Sequence, residues 1–460
     1  MKQVDFRSGN IFKNIMQTAM PMLAAQILNL LYNIVDRIYI ARIPETGTTA
    51  LGAVGLCFPV VVLVLAFTNM YGSGGAPLYS IKCGEGDREE AGMLMNTSFF
   101  LLVVTAVVLT VVFELLGRPV LRLFGTSDKE MFFALPYLRI YLTGTVFSMT
   151  ATGMNPFINA QGFSSVGMTT VMIGSAANII LDPIFIFRFQ MGVRGAAVAT
   201  VISQALSAAF ALNFLFGKKA DQNLRLLTRD ELRESGPRVR QIVGLGFSSF
   251  IMQFTNSLVQ VCANAVLSVT GGDLYISIMT IVSSVRQILE TPLLAIADGT
   301  TPVISFNYGF RKPDRVKRSV RILFWMGILY AVVVWLLILR FPEFFVSIFS
   351  SDSTILDDAV PALHTYFFAF FFMVFQYTGQ TTFKALNKRK QAVFFSLFRK
   401  AIIVIPLTFL LPHLFGFGTM GVFLAEPVSN VIGGLACYIT MRRTIWPEMN
   451  RMEKEIRESG

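Results

Sequence analysis

The sequence is poor in the residues that soluble catalysis draws on. Its 460 residues include two histidines, His364 and His413, and four cysteines, Cys57, Cys83, Cys262 and Cys437. The histidines stand far apart and the cysteines keep no pair spacing. This excludes a disulfide framework, a zinc-type ligand set and a histidine-centred triad. No nucleotide-binding loop and no cluster of catalytic carboxylates is present, which argues against a membrane-embedded enzyme. Charge is scarce as well: 15% of the residues are charged, against roughly 25% in a soluble domain. The N-terminus offers no cleavable leader. After Lys2, Arg7 and Lys13 the apolar run continues past signal-peptide length without a small-residue cleavage site.

What is present is apolar surface. Hydrophobic residues make up 54% of the chain, with 43 Phe and 21 Met, and mean hydropathy is +0.60. A membrane span takes about 20 mostly apolar residues. Twelve such runs can be placed, near 14–40, 51–79, 93–116, 131–158, 166–187, 193–216, 241–268, 273–304, 319–340, 356–384, 393–415 and 419–441. The sequence therefore predicts an all-α integral membrane protein. Its domains read as a six-helix lobe over 1–217, a cytoplasmic linker over 218–240, a second six-helix lobe over 241–442 and a tail over 443–460.

Most of the 39 Lys and Arg residues fall at the two termini and in the loops after spans 2, 6, 8 and 10. Arg399 and Lys400 are counted here with the last of these loops. That bias puts both termini in the cytoplasm. It also accounts for the net charge of +11 without nucleic acid, because the basic residues are divided among separate loops.

The halves repeat. Pro77, Ser80 and Gly84 recur as Pro302, Ser305 and Gly309, and Phe124, Pro136 and Tyr141 as Phe349, Pro361 and Tyr366, all 225 positions on. Gly192, Gly195, Ala199 and Ser203 recur 226 positions on, as Gly418, Gly421, Ala425 and Ser429. Gln26, Asn29 and Asn33 recur as Gln253, Asn256 and Gln260, 227 positions on. A six-span unit enters the membrane twice in the same sense. The two bundles are then related by a pseudo-two-fold axis along the membrane normal. Like bundles that face each other across a cleft suit an alternating-access carrier better than a channel or an anchor.

Polar residues within the spans locate the chemistry, since an acid at mid-membrane costs roughly 2.5–3.5 kcal/mol. Span 1 carries Gln26, Asn29, Asn33 and Asp36 on one helix face. Span 5 carries Asn178 and Asp182 one turn apart, and span 6 carries Thr200. With the N-terminus inside, Asp36, Asp182 and Thr200 fall at similar depths in the outer half of the membrane. Two acids in one poorly hydrated pocket do not both stay ionised and unpaired. They take up a proton, a sodium ion or a cationic cargo, and oxygen ligands suit a hard cation. If Na⁺ is the coupling ion, Asp36, Asn178, Asp182 and Thr200 are its metal ligands. The alternative is that both acids merely accept hydrogen bonds between helices. Span 7 keeps the stripe Gln253, Asn256 and Gln260 but has Ala263 in place of the acid. Span 8 carries Arg286 and Glu290 four residues apart, read as an internal ion pair. Asp298, at the inner part of span 8, Glu426, on span 12, and Glu290 are also candidates to touch cargo in the cleft. Pro21 invites a bend in span 1.

The opening "AMPMLAAQILNLLYNIVDRIYIA", the run "NIILDPIFIF" and the G-x-x-G-x-x-x-A-T start of span 6 together resemble the multidrug and toxic compound extrusion (MATE) transporters. The resemblance covers essentially the whole chain and points to the bacterial multidrug exporters. It implies export of small amphipathic, often cationic compounds by antiport against H⁺ or Na⁺, with no other cofactor. It further implies a bacterial cytoplasmic-membrane location and a monomer. By resemblance, Asp36, Asn178, Asp182 and Thr200 are the cation-coupling residues and Pro21 is the hinge. Tyr32 and Asn155 join Asn33, Gln253, Asn256, Gln260 and Glu290 as substrate-binding candidates. Family members that use acids on spans 7 and 10 are not matched, since span 10 has Gln376 and Gln380. The runner-up is a lipid-linked saccharide or peptidoglycan-precursor flippase, for which cationic cleft residues are few.

Overall fold

The computed structural model describes residues 3–349, 353–414 and 416–459. Helices run almost unbroken and there is no strand among the described residues. Twelve spanning rods follow in chain order: span 1 (Ile11–Ala41), span 2 (Gly47–Glu85), span 3 (Arg88–Leu123), span 4 (Asp128–Thr143 and Thr145–Ala160), span 5 (Ser164–Arg188) and span 6 (Val193–Phe216). The second half gives span 7 (Gly236–Thr270), span 8 (Gly272–Gly309), span 9 (Pro313–Arg340), span 10 (Ile355–Ala385), span 11 (Arg389–His413) and span 12 (Gly418–Ser459). Ten of these are long and apolar enough to cross a membrane by length and composition alone. The other two have visible reasons. Gly144 divides span 4 into two helices of 16 residues, and span 8 carries Arg286, Glu290 and Asp298 along its length. Large apolar side chains such as Leu115, Leu123, Val269 and Leu329 are exposed, as lipid-facing side chains are in a multi-pass membrane protein.

The duplication is written in the backbone. Five pairs of residues take up positive φ at matching offsets: Glu45 and Gly272, Gly86 and Arg311, Gly162 and Asn387, Gln190 and Gly416, Gly192 and Gly418. These are separated by 227, 225, 225, 226 and 226 positions, the offsets found in the sequence. Each marks the turn that ends one rod and admits the next. Four of the ten residues are not glycine and bear the steric cost of that region.

Contacts divide the chain into two compact units. One gathers the described residues up to Asp5 with Met20–Gly246; the other gathers Phe6–Ala19 with the described residues from Phe247 on. The first turns of each half thus pack in the unit of the other half. The changeovers, after Ala19 and after Gly246, lie 227 residues apart, the offset of the span 1 and span 7 repeat. Glycines make both packings possible. Within the first unit, a Cβ on Gly246 would overlap the Met70 carbonyl, and one on Gly74 would overlap the Ile242 carbonyl. Within the second, a Cβ on Gly299 would come within 2.6 Å of the Ala19 Cα, and Thr18 donates to the Gly299 carbonyl at 2.6 Å. Small residues let helix backbones touch in this way. Gly246→Ala should lower the thermal midpoint in detergent through overpacking that costs about 1–3 kcal/mol. Gly55→Ala, with nothing within 4 Å of the new methyl, should not.

The segment between spans 6 and 7 is pinned to the first unit. Arg225 N donates to Asn96 Oδ1 at 3.0 Å, Gln222 N to Gln161 Oε1 at 3.2 Å, and Arg238 forks onto Glu90 at 2.8–3.1 Å. A short helix, Arg229–Arg233, starts in a capping box between Thr228 and Glu231. The hydrogen bond from Arg225, then the Thr228 amide, pull Glu231 down to about 2 from the ordinary 4.5. A depressed carboxyl contributes order above its unfolded value and loses it as pH falls towards the folded one. The short helix should therefore loosen between about pH 4 and pH 2. At neutral pH, Arg225→Ala should speed tryptic cleavage after Arg229 and Arg233, read on a gel against wild type. The C-terminal end of span 12 is fixed to the second unit in a similar manner, by Lys388–Glu448 at 2.7 Å, Lys317–Glu453 at 3.0 Å and Arg311–Glu455 at 2.8 Å.

Candidate functional site

In the first unit, span 5 presents Asn178 and Asp182 on one buried face. Asn178 Nδ2 donates to Asp182 Oδ1 at 3.2 Å and to Thr200 Oγ1 of span 6 at 3.4 Å. Asp36 of span 1 faces Asp182 closely enough for one shared proton to join their carboxyl groups. Without such a proton, Asp36 Oδ1 and Asp182 Oδ2 are buried with no hydrogen-bond partner, and so is Asn178 Oδ1. Buried polar atoms are rarely left so. Immediately after Asp182, Pro183 lacks an amide hydrogen and the helix widens into a π turn, Ile184–Arg188. Such turns are frequent where a helix is shaped for function.

Aromatic hydroxyls enclose the pair. Tyr32 lies near both Asp36 and Asp182, and Tyr137 near Asp36. Tyr137 stacks on Tyr141 at 6.4 Å, and Tyr141 lies against Ser148 and Gln204. Tyr137 escaped the sequence reading because a tyrosine carries no desolvation signal comparable to an acid. Tyr141 was visible only as a member of the repeat. Arg37, next in sequence to Asp36, turns its guanidinium over the Phe58 ring at 5.9 Å.

The remaining candidates stand apart from this group. Asn33 is exposed and donates to the Asn29 carbonyl of its own helix at 2.7 Å. Asn155 donates to the Gly167 carbonyl at 3.0 Å and accepts from Asn159 at 3.2 Å, tying span 4 to span 5. Its counterpart 225 positions on, Gln380, does the same with the Ala392 carbonyl at 2.8 Å. On span 7, Asn256 is exposed and Gln253 half-buried, while Gln260 donates to Asn264 at 3.1 Å and accepts from Ser283 at 3.3 Å. Pro21 lies inside the span 1 helix, two residues beyond the changeover at Ala19.

In the second unit a buried ionic cluster occupies the corresponding place. The Arg286–Glu290 pair forms at 3.0 Å, and Tyr377 donates to Glu290. Arg286 also donates to Tyr366 at 2.8 Å and meets Glu426 at 2.9 Å. Glu426 does not stand open to cargo. Its Oε1 also takes Arg399 and Lys400, each at 2.8 Å, and Lys400 reaches Oε2 at 3.1 Å. Arg399 continues to Asn430 at 2.8 Å. Arg399 and Lys400 are thus not loop residues, as the charge count has them. They are buried in span 11, where a π turn over Phe398–Val404 carries both consecutive side chains to one cluster. A regular helix would turn neighbours about 100° apart. Glu426 stands 226 positions after Thr200, and Tyr366 stands 225 after Tyr141.

Comparison with known proteins gives one consistent answer. A family profile described as MatE matches residues 21–184 and 248–410. The chain is 22% identical over 442 residues to the multidrug export protein MepA of Staphylococcus saprophyticus, covering 95% of this chain and 96% of that one. Among solved structures, an outward-facing multidrug resistance MATE family transporter of the MOP superfamily superposes with a TM-score of 0.90 at 23% identity, covering 99% of each chain. A MOP superfamily transporter from Pyrococcus furiosus, described by the reverse polarity of its binding pocket, gives a TM-score of 0.89 at 23% identity, covering 97% of this chain and 98% of that one. At that identity the structural likeness speaks to fold. These relatives are transporters rather than enzymes.

Proposed function

The chain belongs to the MatE family, and on that premise we propose that it exports small amphipathic, often cationic compounds against an inward flow of H⁺ or Na⁺. The observation that carries this reading is the pair of facing carboxyls, Asp36 and Asp182, whose buried oxygens lack partners. A proton shared between them, or a sodium ion held by Asp36, Asp182, Asn178 Oδ1 and Thr200, would satisfy those oxygens. Filling the pair removes negative charge from the first unit, and emptying it restores that charge. A cationic cargo gains from the emptied state, so ion and cargo weaken each other's binding by the same factor.

Span 1 is suited to transmit the change. Asp36 lies on it, and Pro21 interrupts its hydrogen-bond ladder close to where the helix passes from one unit to the other. In the first unit the polar groups of Tyr32 and Asn33 would meet cargo, and in the second those of Gln253, Asn256 and Gln260 would. Asn155, held to the Gly167 carbonyl, and Glu290, held to Arg286, would act by positioning. The Lys and Arg distribution supports both termini on the cytoplasmic side, the bacterial relatives support a bacterial cytoplasmic membrane, and the protein would work as a monomer.

The test is accumulation of tetraphenylphosphonium, a permanent lipophilic cation, in proteoliposomes under separately imposed pH and sodium gradients. One of the two gradients should drive uptake, and collapse of both should end it. Uptake against a concentration difference with neither gradient present would overturn antiport.

A further inference from the structure

The two units carry buried charge of opposite sign at corresponding places. In the first, two carboxyls face each other while the adjacent Arg37 is turned onto Phe58. In the second, three cations, Arg286, Arg399 and Lys400, gather on two carboxylates, Glu290 and Glu426. If all five are ionised, one positive charge is left over in a region where side-chain exposure is 4–16%. An unbalanced buried charge is costly. A guanidinium does not give up its proton in proteins. Lysine does so when it is buried, and loss of that proton removes the surplus while each carboxylate keeps its other partners.

We propose that the second unit holds a proton-exchange site of its own, in which the Lys400 amine, seated on Glu426, gives up and takes back one proton in each transport cycle. The charged groups beside it are Arg286 from span 8, Arg399 from its own turn and Glu426 from span 12; behind these, Arg286 meets Glu290 and Tyr366, Glu290 takes Tyr377, and Arg399 lies against Asn430 and Cys437. Glu426 stays bound to Arg286 and Arg399 whether Lys400 is charged or neutral, so exchange does not dismantle the cluster. The N–H bond breaks with its electron pair left on Nζ and the proton passes to solvent water; the neutral amine later takes a proton back from water, and no other bond changes. This rests on the ion-coupled reading above and adds a basic site to its acidic one.

The experiment uses the full chain in proteoliposomes with tetraphenylphosphonium as cargo. Lys400→Arg fixes the positive charge and Lys400→Met fixes the neutral state. Each should keep cargo-for-cargo counterflow within about threefold of wild type yet lose at least about tenfold of accumulation driven by a pH gradient, because neither can complete the charge cycle. If the arginine variant accumulates cargo with wild-type dependence on the gradient, Lys400 is structural and the proposal is overturned. If the Asp36→Asn/Asp182→Asn protein fails while both Lys400 variants work, this inference falls and the acid-pair reading stands. If wild type ignores both gradients, the acid-pair reading falls by itself. Should neither Lys400 variant fold, the decision passes to the Asp36→Asn/Asp182→Asn protein, which keeps Lys400. Its affinity for tetraphenylphosphonium should still depend on pH, and an affinity flat in pH overturns the proposal.

Discussion

Asp36→Asn should leave a folded, membrane-inserted protein that no longer concentrates cargo. An amide cannot share a proton with Asp182 and is a poor ligand for sodium, so the pair loses its exchangeable cation. The shape of the pocket barely changes. Accumulation driven by an ion gradient should fall at least about tenfold, a coupling loss above 1.4 kcal/mol. Counterflow of cargo, which needs no net ion movement, should persist. Asp182→Asn should behave alike. The two amides together should be no worse than either alone, because the residues act as one unit. Unchanged gradient-driven accumulation in Asp36→Asn would remove that carboxyl from the mechanism. The readout is tetraphenylphosphonium uptake at matched protein content.

Glu426→Gln should damage the fold itself. Arg286, Arg399 and Lys400 all converge on one carboxylate oxygen at 2.8–2.9 Å. Taking away its charge leaves Arg399 and Lys400 buried without an anionic partner, while Arg286 keeps Glu290; stranding buried cations in this way costs roughly 3–5 kcal/mol. The thermal midpoint in detergent and the folded yield by size exclusion should both drop. Pairing the change with Arg399→Met should recover part of the loss, since fewer cations are then stranded. A midpoint equal to wild type in Glu426→Gln would mean that the cluster contributes little to holding spans 8, 11 and 12 together.

The first-unit site was legible because intramembrane acids are rare and expensive. Asp36, Asn178, Asp182 and Thr200 declared themselves by spacing and depth, and the structure brings all four together. The twelve spans and the duplication were legible from apolar runs and constant offsets. The ionic cluster was half legible. Arg286 and Glu290, four apart on a long apolar helix, announced their ion pair. Arg399 and Lys400 did not, because they follow the basic run Lys388, Arg389 and Lys390 closely enough to be counted with it. Moreover, a regular helix would not point both at one partner, and the π turn that does so leaves no composition signal. The exchange of first turns between the units was also hidden. It depends on backbone contact at Gly246 and Gly299, and a glycine within an apolar run does not say what approaches it. The paired left-handed turns were masked for the same kind of reason, since Glu45, Gln190, Arg311 and Asn387 adopt a conformation that sequence alone assigns to glycine.

The account turns on whether Asp36 and Asp182 carry the exchanged ion. Difference infrared spectra of the purified protein, with and without saturating tetraphenylphosphonium, read carboxyl groups directly. The account predicts that cargo binding changes bands from a protonated or sodium-bound carboxyl, and that these bands are missing in Asp36→Asn/Asp182→Asn. The same carboxyl bands in the double amide would contradict it.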